Sequence, residues 1–314
     1  MTSTVQRLTE KGFLRPPRWL PPNVHYETIM GSEAYGVSSN TSDKDIYGFC
    51  IPPKEMVFPH LAGEILGFGT PVTRFEQFQQ HHIQDQSLGS DSTSAPAQEQ
   101  TTAPGKAKQY DITIFNIVKY FRLAMDNNPN LIDSLFTSQT CVLHITRVGQ
   151  LVREQRRSFL HKGSWAKFKG YAFSQLHKMN TKETQGKRQE IREQFGFDVK
   201  YAYHLVRLLY EAEQILLEGD IDLQRHREHL KAIRRGEVSE RDIRSWAADK
   251  EKHLENAYHE SKLPQAPDEP RIKQLLLHCL EEHYGNLEGC VVEPDAAITA
   301  LREIQAVLDR YRSL

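Results

Sequence analysis

Gly31-Ser32-Glu33-Ala34-Tyr35-Gly36, followed by Ser42-Asp43-Lys44-Asp45-Ile46-Tyr47-Gly48, is the most informative stretch of this chain. The first run comes directly after His25-Tyr26-Glu27-Thr28-Ile29-Met30, which has the composition of a strand. A glycine at that strand end lets backbone approach a ligand closely, and a serine beside it offers a hydroxyl and an N–H to a phosphate oxygen. Asp43 and Asp45 stand two apart at the head of a second β-rich run, Asp45 to Ile51, which stops at Pro52-Pro53. Side chains two apart on a strand share a face. Two carboxylates on one face repel unless a hard dication lies between them. Aspartates sharing Mg²⁺ or Mn²⁺ are apparatus for phosphoryl and nucleotidyl transfer.

Working outward, Val72 to Phe78 is a possible third strand, and Tyr110-Asp111-Ile112-Thr113-Ile114 a further one. Between them, residues 84–108 contain one leucine, no aromatic and no β-branched aliphatic residue. Such a segment buries too little to offset its ordering entropy, so a disordered surface insertion within the first domain is expected. Apolar periodicity then turns helical at Ile114, Ile117, Val118, Phe121, Ala124 and Met125, and Asn128-Pro129 has the form of a helix start. From about residue 140 the chain reads as helix after helix. Tyr201, Leu205, Leu208, Ala212 and Ile215 share one apolar face, and Leu275, Leu276, Cys279 and Leu280 another. The expected architecture is α+β: a first domain over 1–140 with a mixed sheet and helices, and an all-helical domain over 141–314.

The 314 residues are 39% hydrophobic and 26% charged, with a net charge of −1, which excludes a uniformly basic nucleic-acid coat and an acidic tail protein. The charge is uneven. From Arg147 to Tyr210 there are 14 Lys/Arg against 5 Asp/Glu, a net of +9, leaving −10 for the rest. A basic helical face beside an acidic domain suits metals and phosphates, although solvated helix faces give the same count. Cys50, Cys141, Cys279 and Cys290 form no C-x-x-C, which fits a reducing cytoplasm. No apolar run of about 18 residues exists to span a membrane. Met1 to Leu20 lacks the apolar run of a signal peptide, and no G-x-x-x-x-G-K-[ST] loop is present.

The joint pattern of strand, Gly-Ser, Asp-x-Asp, β run and a later strand aspartate resembles the nucleotidyltransferase superfamily of DNA polymerase β. Within it, Gly31-Ser32, Tyr35-Gly36, Ser42-Asp43-Lys44-Asp45, Gly48 and Ile51-Pro52-Pro53 resemble predicted nucleotidyltransferases associated with RNA ligases and RNA repair. So do Phe75-Glu76-Gln77, the run from Asp111, Asn127-Asn128-Pro129-Asn130-Leu131, Phe168 to Leu176, and Lys200 to Leu208. The likeness covers roughly 25–235. It implies that Gly31, Ser32 and Ser42 hold nucleotide phosphates, that Asp43 and Asp45 bind Mg²⁺ or Mn²⁺, and that Asp111 completes the site as metal ligand or base. Glu76 is the alternative third carboxylate, and Asp85 a poorer one.

Lys200, His204 and Arg207, at i, i+4 and i+7, share a helix face and would grip a triphosphate or an RNA backbone; a solvated flank with Glu211 as ion-pair partner is the plainer reading. Lys169 would meet phosphate and Tyr171 stack a base, or Tyr171 is core. The paired His81-His82 and the scattered His144, His161, His177, His226 and His229 read as surface or packing residues. The resemblance implies transfer of a nucleoside monophosphate from an NTP to a hydroxyl, an RNA end as acceptor, and an RNA ligase as functional partner. A protein AMP-transferase of the antitoxin kind and a non-catalytic nucleotide- or RNA-binding module remain as alternatives.

Overall fold

The structure, a computed structural model, describes residues 2–38, 43–58, 74–85, 108–181 and 186–285, with 304 and 308. Five strands, β1 (Val24–Met30), β2 (Lys44–Cys50), β3 (Gln77–Asp85), β4 (Lys108–Asn116) and β5 (Val142–Ile145), form one mixed sheet in the order β3-β4-β2-β1-β5. Among the described strands, only the β2–β4 pair is parallel. Short helices α1 (Thr4–Glu10), α2 (Gly31–Ala34) and α3 (Lys54–Val57) accompany the first strands; α4 (Ile117–Met125) and α5 (Pro129–Phe136) follow β4. Asn116 and Asn128 cap α4 and α5 by accepting from the N–H groups of Val118 and Asn130. The helical part comprises α6 (Arg147–Glu154), α7 (Ser164–Thr181), α8 (Lys187–Phe195), α9 (Val199–Glu218), α10 (Arg227–Arg234), α11 (Glu240–Glu260) and α12 (Glu269–Tyr284). The fold is thus α+β, a mixed sheet with helices followed by a helical C-terminal region.

Alternation sorts the sheet into two faces. Ile46 and Cys50 on β2 and Tyr110, Ile112 and Ile114 on β4 pack with Val5, Leu8, Leu14 and Leu20 of the N-terminal segment. Glu27, fully buried on β1, accepts from the N–H groups of Thr4 and Val5 and so anchors α1 to the sheet. On the other face Phe49 and Phe115 join Tyr26, Tyr120, Leu131, Leu205 and Leu209 in one core that runs through sheet and helices alike. Tyr201, Leu205, Leu208, Ala212 and Ile215 of α9 are all buried in it.

Three boundaries differ from the sequence expectations. β3 begins at Gln77, after 74–76, while Val72 and residue 73 lie outside the described residues, and it runs on through His81-His82, where polar side chains on an edge strand leave no apolar alternation to read. Gln84, Asp85 and Lys108, expected in the insertion, are strand residues, because β3 and β4 pair antiparallel as far as Asp85↔Lys108; the rest of the insertion, 86–107, lies outside the described residues. Val142–Ile145, expected in the helical half, is a strand paired with β1. Only four residues long and half-buried throughout, it carries no alternation to read.

Candidate active site

The register of the sheet brings the acids together. Asp45 on β2 is the partner of Asp111 on parallel β4. Adjacent strands lie about 4.8 Å apart, and register partners point to one face. Asp45 also pairs with Met30 on β1, so Gly31 arrives directly against it. Gly31 has φ +66°, and a Cβ there would run into Asp45 Oδ2. Glycine is therefore required twice, by the left-handed backbone and by the carboxylate. Asp43 is exposed just ahead of β2. Burial raises the Asp45 carboxyl above its ordinary value; Asp111 and Asp43 raise it further, while Lys200 and His81 oppose them.

These groups open on a cleft of about 840 Å³ between the sheet and helices α7 and α9. Its sheet wall follows the two-residue period: Asp45 and Tyr47 on β2, Asp111 and Thr113 on β4, Gln79 and His81 on β3, with Met30 and Gly31 at the end of β1. Its helical wall carries Lys167, Gly170, Tyr171, Ser174, Gln175 and Lys178 of α7 and His204, Arg207 and Leu208 of α9, with Asn130 between. Tyr171 is exposed and its hydroxyl accepts from Asn128 Nδ2 at 3.0 Å. Tyr171 also helps raise the Tyr47 hydroxyl, after burial and Asp45, and both residues line the cleft.

Asp111 is held by a β-bulge. The β3–β4 register shifts between Gln80 and Ile83, and His82 takes φ 57°. The bulge turns the His82 N–H onto Asp111 Oδ1 at 2.7 Å and leaves His81 Nδ1 3.6 Å from Oδ2. His81 thus belongs to the site, not to the plain surface. The adjacent His-His in a polar strand was the available signal, but a bulge depends on the pairing partner and is not visible locally. Glu76 sits elsewhere. Its carbonyl accepts from the Asn116 N–H, at the other end of β4, about 16 Å along the strand from Asp111. Its exposed carboxylate is engaged by Lys119 at 2.6 Å, which lowers it.

The cations divide differently from expectation. Arg207 touches the cleft but is buried. Its Nη1 donates to Asp133 and to both oxygens of Glu211, and its guanidinium lies 4.2 Å over Tyr35, whose hydroxyl donates to Asp133 at 2.8 Å. Its charge is consumed internally, because Asp133 on α5, distant in sequence, meets it in the core. Lys169 leaves the cleft altogether: it points to α11, with Glu255 at 2.6 Å and Glu251 at 2.9 Å. One helical step moved it off the face carrying Lys167 and Tyr171. Lys200 is exposed at the start of α9, within the field of Asp45. Ser32 follows Gly31 in α2 and is not among the cleft-lining residues, while Ser42 lies outside the described residues. Lys167, Lys178 and Gln79 are cleft residues that sequence reasoning missed; spacing from Tyr171 would have found the first two.

Asp45 and Asp111 are hard oxygen donors on adjacent strands, with Asp43 close enough to raise the proton affinity of Asp45, a donor chemistry that fits Mg²⁺ or Mn²⁺. Among the described residues no three acidic, His or Cys side chains converge on one point. No described helix is long and apolar enough to cross a membrane.

In comparisons with known proteins, no curated protein and no solved structure matches. A family model does, over residues 10–278, well beyond the stretch that carried the resemblance and into α12. The sheet register, the strand-end glycine and that match over most of the chain agree: the protein belongs to the RNA repair pathway DNA polymerase beta family.

Proposed function

We propose that the protein is a metal-dependent nucleotidyltransferase that moves a nucleoside monophosphate from an NTP to a hydroxyl, with an RNA end as acceptor. The observation that carries this reading is the side-by-side placement of Asp45 and Asp111 on the cleft wall, against a glycine that leaves the backbone open. Family membership supports nucleotidyl transfer as the reaction class.

In this reading Asp45 and Asp111, with Asp43 near enough to act on Asp45, would hold Mg²⁺ or Mn²⁺, which would supply Lewis acidity and offset charge on the phosphates. The acceptor hydroxyl oxygen attacks the α-phosphorus, the bond to the β-phosphate bridging oxygen breaks, and pyrophosphate leaves. Asp111, whose carboxylate accepts from the His82 N–H and lies beside His81, would take the hydroxyl proton. His204 on the cleft wall, with Lys200 acting on the site through the field that reaches Asp45, would meet the triphosphate, while Arg207 is engaged by Asp133 and Glu211. Tyr47 stays a neutral donor because burial and Asp45 raise its hydroxyl. Three buried free cysteines, Cys50, Cys141 and Cys279, suit a reducing, cytoplasmic setting, where an RNA ligase would act on the product.

The test is incubation with each NTP, labelled at the α- or the γ-phosphate, with Mg²⁺ or Mn²⁺ and either RNA or protein acceptors. The proposal predicts α-label in RNA and γ-label in pyrophosphate. Label in protein would replace the acceptor with that of an AMP-transferase, and label in neither would leave a binding module.

A further inference from the structure

Among the described residues, nothing crowds the mid-helix glycine of α7. Gly170 has ordinary helical backbone, and a Cβ added to it would meet, beyond its own helix backbone and chain neighbours, no described atom within 4 Å. Glycine is a poor helix former, and one use of a glycine that no neighbour demands is to let another backbone approach closely. Gly170 faces the cleft, beside Tyr171.

The same helix is charged differently on its two sides. Away from the cleft, Lys169 is neutralised by Glu251 and Glu255. On the cleft side Lys167 and Lys178 are exposed, and among the described residues neither has an acidic partner. Lys167, Gly170, Tyr171, Gln175 and Lys178 follow the three- and four-residue spacing of one helix face. Its two lysines are about 16 Å apart along the axis. A nucleotide in a stacked strand rises only about 3.4 Å, so the strip is several nucleotides long. It faces the acidic sheet wall without joining it.

We infer that this strip of α7 is the track for a single-stranded polynucleotide acceptor. The strand backbone passes over Gly170, a base stacks on the Tyr171 ring that Asn128 holds in place, and phosphates meet Lys167 and Lys178. The inference rests on the proposed reaction for the word acceptor, but the strand binding itself does not need catalysis.

Binding of a labelled 12-nucleotide RNA and the matching DNA strand, measured by fluorescence anisotropy on the full chain without NTP, tests it; a fluorescent ATP analogue is titrated in parallel. Lys167→Ala with Lys178→Ala should weaken strand binding about 25-fold at 0.1 M salt and make the salt slope shallower by about 1.4. Gly170→Leu should weaken the strand about tenfold with the slope unchanged, while its melting temperature holds or rises. ATP-analogue affinity should fall less than strand affinity in the strip variants, and Lys252→Ala on α11 should change neither. The same dependence with DNA supports the track equally. Unaltered strand affinity and slope in the folded double variant would overturn it, as would a wild-type chain that transfers nucleotide but binds neither strand. Strip-dependent binding without any nucleotidyl transfer would leave the track standing and remove the proposed reaction.

Discussion

Arg207 shows how a single side chain is assigned by its partners rather than its charge. It meets Asp133, Glu211 and Tyr35 inside the core, and burial raises both carboxyls while they in turn hold the guanidinium charged. Through Tyr35, two residues beyond the end of Ser32-Glu33, the cluster ties the Gly31 turn to α5 and α9. Removing one member of a buried ion cluster leaves its partners uncompensated, which costs about 3–5 kcal/mol. Arg207→Met should therefore lower unfolding free energy in urea by that amount, and an unchanged midpoint would contradict the burial. The sequence row Lys200/His204/Arg207 was readable as a shared helix face, and Glu211 as a local partner. That the third member enters the core was not, because Asp133 lies 74 residues away.

The bulge in β3 acts at the scale of the element. It spends an extra residue so that one backbone N–H turns toward Asp111. His82 bears a left-handed φ of 57°, which costs a non-glycine residue about 1 kcal/mol. His82→Gly should stabilise the fold by about that much and retain nucleotidyl transfer, since glycine keeps the N–H. Deleting residue 82 should restore regular pairing and abolish transfer. Equal activity in both variants, followed by initial rates, would show that the bulge does not serve Asp111. β2 and β4 were legible because buried strands alternate cleanly, Asp45-Ile46-Tyr47 and Asp111-Ile112-Thr113, and that legibility placed the acids. β3 and β5 were not. One is a polar edge strand and the other only four half-buried residues, so neither holds a pattern that outlasts its flanks.

At the scale of the molecule, one face of the sheet shares a core with the helices while the other packs with the N-terminal segment, and the cleft draws one wall from the sheet and one from the helices. His25 on β1 helps fasten this arrangement: its Nδ1 meets Thr146, the cap of α6, at 2.8 Å, and its Nε2 meets His283 near the end of α12 at 3.0 Å. Burial, then His283 and His144, depress it from 6.5 to about 3. Below about pH 6.5 the unfolded chain takes up a proton that folded His25 refuses until about pH 3. Stability from this group is therefore complete at neutral pH and lost as pH falls, by up to about 1.4 kcal/mol per unit. His25→Gln should flatten the pH dependence of unfolding between pH 6 and 4; parallel wild-type and variant profiles would contradict this. The central claim, that Asp45 and Asp111 together form the centre of nucleotidyl transfer, is tested most directly by single-turnover release of pyrophosphate from NTP in Mg²⁺ by wild type, Asp45→Asn, Asp111→Asn and Glu76→Gln, each checked for its melting temperature. The account predicts at least about a 10²-fold loss for both aspartate variants, a raised melting temperature for Asp45→Asn because a carboxylate made costly by burial and like charge is gone, and wild-type rates for Glu76→Gln. Full activity in either aspartate variant, or a loss confined to Glu76→Gln, would contradict it.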